Sequence, residues 1–222
     1  MVPDPLLTGE SIEGCALVLF GSFNPQIFRL PWLRRFEVFD QDLLKAVEVL
    51  IDAPELVSLT FGDEIALEVS PERFLLHRAS PMSLDYLVKR VSTIFTELPH
   101  TPIRVIAISL EYHFAAGSIE AQEQFLDRFV PLGGWHLAPS TGVERRLNLE
   151  VPGEHGETIR YELSKSDEFE VGIYLGIVHE YETAESVDEP VGAVNAMSTL
   201  ISVWPEVLKN SSKVVSKLVG DE

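Results

Sequence analysis

Between Leu56 and Ala79 three short period-two runs follow one another with only turns between them: "LVSLTF", "EIALEV" and "RFLLHRA". Gly62-Asp63 separates the first pair and Ser70-Pro71-Glu72 the second. Strands joined this tightly cannot lie parallel, because a parallel neighbour needs a crossover of a dozen or more residues. This stretch is therefore confined to antiparallel pairing, and the alternating strand-helix order of a parallel sheet is excluded. A second succession repeats the pattern. "ERRLNLEV" and "TIRYELS" are joined across Pro152 to Gly156, and "FEVGIYLGIVHEYET" follows with Phe169, Val171, Ile173, Leu175 and Ile177 on one face.

Helical spacing fills the rest. Leu84, Leu87, Val88, Val91, Ile94, Phe95 and Leu98 form one stripe over 83–98. Asp40 can cap a helix carrying Leu43, Leu44, Val47, Leu50 and Ile51 and stopped by Pro54. Ser118 can cap another, with Ala121, Phe125 and Phe129 inward and Gly133-Gly134 at its end. A last helix starts near Pro190 and runs to about Leu218, with a kink or break expected at Pro205. Strands are also expected at 15–21 and 103–114. The fold class that follows is α+β: a curved, mainly antiparallel sheet with long helices on one face. Residues 15–98 and 103–218 read as two β-α-β-β-β-α repeats within one domain, 15–218, preceded by an extended arm over 1–14 and followed by a tail over 219–222. This element order is similar to the duplicated saddle of the TATA-binding protein, and each half to helix-grip ligand-binding folds.

Seventeen basic residues against 35 acidic ones give a net charge of −18. Such a chain lacks the positive surface that releases counterions from phosphate, so nucleic acid and anionic membranes are not expected partners. An acidic face can instead meet a basic partner or imitate DNA. Cys15, the single cysteine, has no internal disulfide partner and sits in an apolar run. The N-terminus shows no basic region followed by an apolar one, and no apolar run approaches the roughly 20 residues that span a bilayer. A cytoplasmic protein is expected.

The run "CALVLFGSFNPQIFRLPW" (15–32) carries two resemblances. Gly21 to Pro25 resembles the G-S-F-[ND]-P opening of nucleotidylyltransferases. There an H-x-G-H box follows, whereas this chain has Ile27-Phe28-Arg29-Leu30, and "PSTGVERR" gives only an echo of their late motif in Ser140, Thr141 and Arg145. The same segment resembles a family of uncharacterised bacterial proteins in which G-x-F-N-P-x-I-F precedes a tryptophan, and in which a T-P-I-R like that of "HTPIRVIAISLEYHF" precedes a strand with a late His-Phe. That resemblance implies no established activity. It marks Phe23, Asn24, Pro25, Ile27, Phe28 and Trp32 as one unit: an ordered loop plugging one end of the sheet, or a partner-binding loop.

Catalytic signatures are sparse. There is no G-x-S-x-G elbow, no G-x-x-x-x-G-K loop, no H-x-x-x-H pair and no cysteine pair. No metal or cofactor is expected. "LEYHF" and "VHEYE" make Tyr112, His113, His179 and Tyr181 site candidates at corresponding places of the two halves. Phe23, Asn24, Phe28 and Trp32 are the candidates for binding a partner. Gly172 and Gly176 interrupt a strand, where a bend or close helix packing is expected. The expected function is that of a non-catalytic, acidic protein that binds a protein partner, as an accessory subunit of a bacterial assembly; homo-oligomers remain open. The alternative is a small-molecule-binding or enzymatic domain with a cavity between sheet and helices.

Overall fold

The computed structural model describes residues 6–62, 65–78, 84–132, 144–183 and 191–220. The start of the expected arm, Gly133-Gly134, Ser140-Thr141 and Pro190 lie outside them. In chain order the elements are β1 (Leu7–Gly21), a 3₁₀ turn (Pro25–Phe28), α1 (Leu30–Arg35), α2 (Gln41–Lys45), β2 (Val47–Ala53), β3 (Leu56–Phe61), β4 (Ile65–Val69), β5 (Arg73–Arg78) and α3 (Leu84–Glu97). There follow β6 (Pro102–Ala116), α4 (Ile119–Asp127), β7 (Leu147–Pro152), β8 (Thr158–Lys165), β9 (Gly172–Glu182), the short β10 (Val191–Gly192) and α5 (Ala193–Val219).

The chain is α+β, with one open ten-stranded sheet ordered β2-β3-β4-β5-β1-β6-β9-β8-β7 and β10 paired to β6. Its ladders run antiparallel. The two longest strands, β1 and β6, lie side by side at the centre, with Cys15 opposite Leu110 and Leu19 opposite Ile106. Outward from this seam each half repeats one course. The chain crosses through helical turns to the far edge, meanders back to the central strand, and ends in a long helix.

One face of the sheet carries both long helices. α3 packs on β1 and β5, α5 on β6, and the two helices touch each other. The burial of β3 and β4 alternates strictly, as period-two strands against one core require. Leu17, Leu19, Leu67, Leu76, Ile106 and Ile108 meet Leu87, Val91, Ile94, Phe95 and Leu200 there, all fully buried.

Four expectations need correcting. β1 begins at Leu7, not at residue 15, so 7–14 of the expected arm are strand, with Gly9, at φ +83°, in a bulged stretch of it. The helix after Asp40 stops at Lys45, and 47–53 form the edge strand β2. Its β-branched Val47, Val49 and Ile51 suit a strand, and a bulge between Val49 and Ile51 passes over Leu50. The first half therefore has one strand more than β-α-β-β-β-α allows. β9 starts only at Gly172, after a turn in which the Ser166 hydroxyl accepts the Glu168 and Phe169 N–H groups, so Phe169 and Val171 precede the strand. Finally, α5 is continuous through Pro205. The carbonyl that Pro205 leaves unbonded belongs to Ile201, which is 53% exposed, so water can take it.

The Gly21–Trp32 segment closes the helix-bearing side. A Cβ on Gly21 would lie 2.1 Å from the Pro102 carbonyl oxygen, so only glycine permits this approach of β1 to β6. The Asn24 carboxamide caps the 3₁₀ turn by accepting the Gln26 N–H at 3.1 Å, and Pro25 opens that turn. Phe23 and Phe28 pack with Phe74 and Phe95, ring centroids 5.3 to 6.4 Å apart. Asp40 caps nothing with its side chain; its carboxylate is gripped by both oxygens from Arg90 of α3.

Candidate functional site

Strand periodicity sends alternate residues to the face that α3 and α5 do not cover. Register places these in rows: His77–Ala16–Ser109–Val178–Arg160, then Gly14–Glu111–Gly176–Glu162, then Ile12–His113–Tyr174–Ser164. Leu75, Val18 and Phe20 continue the face toward its other end, with Phe20 37% exposed. Glu68, Glu150, Glu180 and Glu182 share it. Arg73 pairs with Glu68, and Arg160 with both Glu150 and Glu180.

Two adjoining clefts open here, both lined by Glu162 and Tyr174. The first, about 310 Å³, lies where Gly176 supplies no side chain between Tyr174 and Val178. Tyr174 leans over that gap: a Cβ on Gly176 would sit 2.5 Å from its hydroxyl. The glycine thus accommodates a tyrosine on the face away from α3 and α5, and no helix of the described residues packs on it. The second cleft, about 470 Å³, is polar and includes Glu111, His113, Arg146, Lys165 and Asp167. That volume falls in the range of small-ligand sites.

The charge states in the larger cleft have identifiable causes. His77, whose Nε2 lies 3.7 Å away, holds the Glu111 carboxyl below its ordinary range despite burial that pushes it up. Burial raises the Tyr174 phenol to about 12, with Glu111, Glu162 and Asp167 adding to the effect, so it stays protonated. His113 Nδ1 lies 2.9 Å from the Ser166 hydroxyl. That oxygen also accepts the Glu168 and Phe169 backbone N–H groups, so the serine ties the histidine ring to the turn before β9. Asp167 also approaches Nδ1, at 3.6 Å. Serine and aspartate therefore meet the same ring nitrogen, and the three do not form a nucleophile–base–orienter relay.

His179 lies on the opposite, helix-bearing face, although β6 and β9 are neighbours. Its Nε2 is 3.3 Å from the Ser211 hydroxyl of α5, and its Nδ1, with no hydrogen bond, faces the buried Glu157 at 4.0 Å. Glu157 reaches this place by folding across Gly153, where any Cβ would meet its carboxyl carbon at 2.1 Å. Tyr112 and Tyr181 are buried on the same helix-bearing face, both phenols raised by burial. The four expected candidates thus divide, and only His113 borders a cleft described here. Moreover, β6 corresponds to β1 and β9 to β5, so "LEYHF" and "VHEYE" do not occupy corresponding places in the halves.

Burial lowers the His179 pKa, an effect Glu157 partly opposes. A histidine depressed in the native state contributes stability that is complete above its unfolded value of about 6.5 and is lost as pH falls through the folded value. Urea unfolding midpoints should accordingly be lower near pH 5.5 than near pH 7.5. His179→Gln should narrow that gap; an unchanged gap would assign the acid sensitivity to other groups.

Of the partner-binding candidates, Phe23 and Phe28 are buried in the aromatic cluster, while Asn24 is exposed and Trp32 half-buried against Phe36 at 4.8 Å. Glu162, Tyr174 and Ser166 are not among the candidates that the sequence offers, and Glu111 enters there only as the acidic neighbour of His113 in "LEYHF". The available signal was parity: Glu111 and His113 fall on one side of a strand whose other side is apolar. Among the described residues no group of three or more His, Cys, Asp or Glu could hold a metal ion. No helix of the described residues is long and apolar enough to cross a membrane. The chain matches no protein-family model, and comparison with the curated proteins finds no match.

Proposed function

We propose that this protein is a non-catalytic binding module that holds a basic protein partner on the uncovered face of its sheet. The observation that carries the reading is the one-sidedness of the fold: α3 and α5 lie on one face, and the other presents Phe20, Val18 and Leu75 beside rows of carboxylates. An apolar patch with a charged surround is the usual anatomy of a docking surface. A net charge of −18 steers a basic partner toward it and raises the rate of encounter. The thiol of Cys15, pushed up to about 11 chiefly by burial, is a poor nucleophile, and His113 has no relay geometry. A module of this kind suits an accessory subunit of a larger assembly.

The test is capture from extract of the native host, followed by titration of the purified partner. Phe20→Ala should weaken binding about tenfold if Phe20 is a central anchor. Ile201→Ala, on the exposed side of α5, should leave binding unchanged. Binding that ignores Phe20 and fails with Ile201→Ala would move the interface to the helices and end this reading.

A further inference from the structure

Two strands bound the sheet, and the chain guards them unequally. β7 ends at Pro152, which has no N–H, and its Glu150 pairs with Arg160 of β8. Its exposed apolar residue, Leu149, stands between Asn148 and Glu150. β2, at the other edge, has neither proline nor lysine between Val47 and Ala53. Glu48 to Asp52 are all exposed, and Val49, Leu50 and Ile51 follow one another at 52%, 59% and 42% exposure. Its ladder joins β3 alone, so the N–H and C=O groups on its outer side meet no strand among the described residues. An edge of this kind is a template for a further strand.

Register shows what such a strand would adjoin. Val18, Leu75, Glu68, Ser58 and Ile51 form one row, so the apolar patch of the uncovered face continues in line to the open edge. A segment lying on that face can turn the border there and pair with β2. A second copy of this chain fits the edge poorly. Two chains of −18 repel each other, and pairing β2 with itself would set one bulge at Leu50 against the other. The bulge also shifts parity, placing Glu48 in line with Thr60, Ala66 and His77 on the uncovered face, and Asp52 with Val57, Val69 and Phe74 on the other. Asp52 is held by Arg29 at 2.7 Å, whereas Glu48 has no ion pair among the described residues. The edge thus offers apolar contacts at its centre and a carboxylate for a cation on the docking side.

We infer that the β2 edge receives an extended segment of the basic partner as an added strand, with apolar side chains against Val49 and Ile51 and a lysine or arginine beside Glu48. This rests on the partner-binding reading above and gives that partner a conformation and a place. The probe is the acetylated, amidated peptide Lys-Thr-Val-Ile-Val-Lys-Thr, mixed with the full chain and followed by calorimetry and amide hydrogen exchange. It should slow exchange in 48–52 and not in 147–152. In an added strand only alternate amides face the edge they pair with. Of two versions N-methylated on alternate residues, in opposite phase, one should therefore lose binding and the other keep it. Ile51→Lys should weaken the peptide about tenfold, and Leu149→Lys, the same charge change on the other edge, should not. Equal binding of both methylated peptides, or protection no greater at 48–52 than at 147–152, overturns the inference. So does self-association of the chain that Ile51→Lys abolishes, which would give the edge to a second copy. With a captured partner, weakening by Phe20→Ala but not by Ile51→Lys sinks the edge alone, whereas the reverse sinks the broader docking face.

Discussion

Phe28→Ala should cost about 3–5 kcal/mol of stability, seen as a fall in the urea midpoint at constant slope. The side chain is 1% exposed and touches Trp32, Phe74 and Phe95, from three separate elements. Truncation leaves a cavity between a strand, a helix and the 3₁₀ turn, where the sheet cannot close to fill it. Trp32→Ala should cost less, since its ring is half-buried on α1. The contrast has a practical edge. Loss of partner binding in a variant carrying both substitutions would report unfolding of the plug before it reported an interface, so the two must be tested singly. A Phe28→Ala protein as stable as the parent would contradict the aromatic cluster itself.

Arg145→Ala should be of similar size, about 3 kcal/mol, the lower end for removing one member of a buried ionic network. The Arg145 side chain is 2% exposed and pairs with Glu123 and Asp127 of α4, while also donating to the Glu123 carbonyl at 3.1 Å. Its loss frees the approach to β7 from α4 and removes a side-chain donor from that carbonyl. The lower end applies because Asp127 is more than half exposed and Glu123 a third exposed, so water takes over their carboxylates. Lysine should recover only part of the loss, having one point charge where the guanidinium forks to two acids. Thermal or urea unfolding of the three proteins measures this. Equal stability of the lysine variant would show that charge alone, not the fork, holds residue 145 to α4.

These residues also show what a single chain of letters can and cannot convey. Tight turns dictated antiparallel pairing, so the class and most strands were legible. The helix stripe at 83–98 was equally plain because its spacing matches one buried face. The stretch 40–53 misled: Leu43, Leu44, Val47, Leu50 and Ile51 fit a helical period, yet Val49, Leu50 and Ile51 are exposed on an edge strand. Periodicity presumes that apolar residues face a core, and an edge breaks that presumption. At the site the limits were different. His113 and His179 looked alike by local sequence, but their position parity on neighbouring strands sends them to opposite faces, and parity depends on register. Arg145 stood in a loose echo of a nucleotide-binding motif, where its partners on α4 could not be foreseen. Cleft-lining Glu111 and Glu162 become a pair only once β8, β9 and β6 are aligned.

The central seam has a consequence in time. The outer meander pairs close neighbours: β3 with β4, and β4 with β5, are each joined by three residues. The seam between β1 and β6 instead pairs Cys15 with Leu110, 95 positions apart. Non-local pairing of this kind bears its loop-closure entropy before any contact rewards it, which slows folding. During synthesis the whole first half, through α3, is made before β6. Until then β1 has an open edge with Leu17 and Leu19 uncovered on one side. The nascent chain therefore passes through a stage in which its future centre is its most adhesive border.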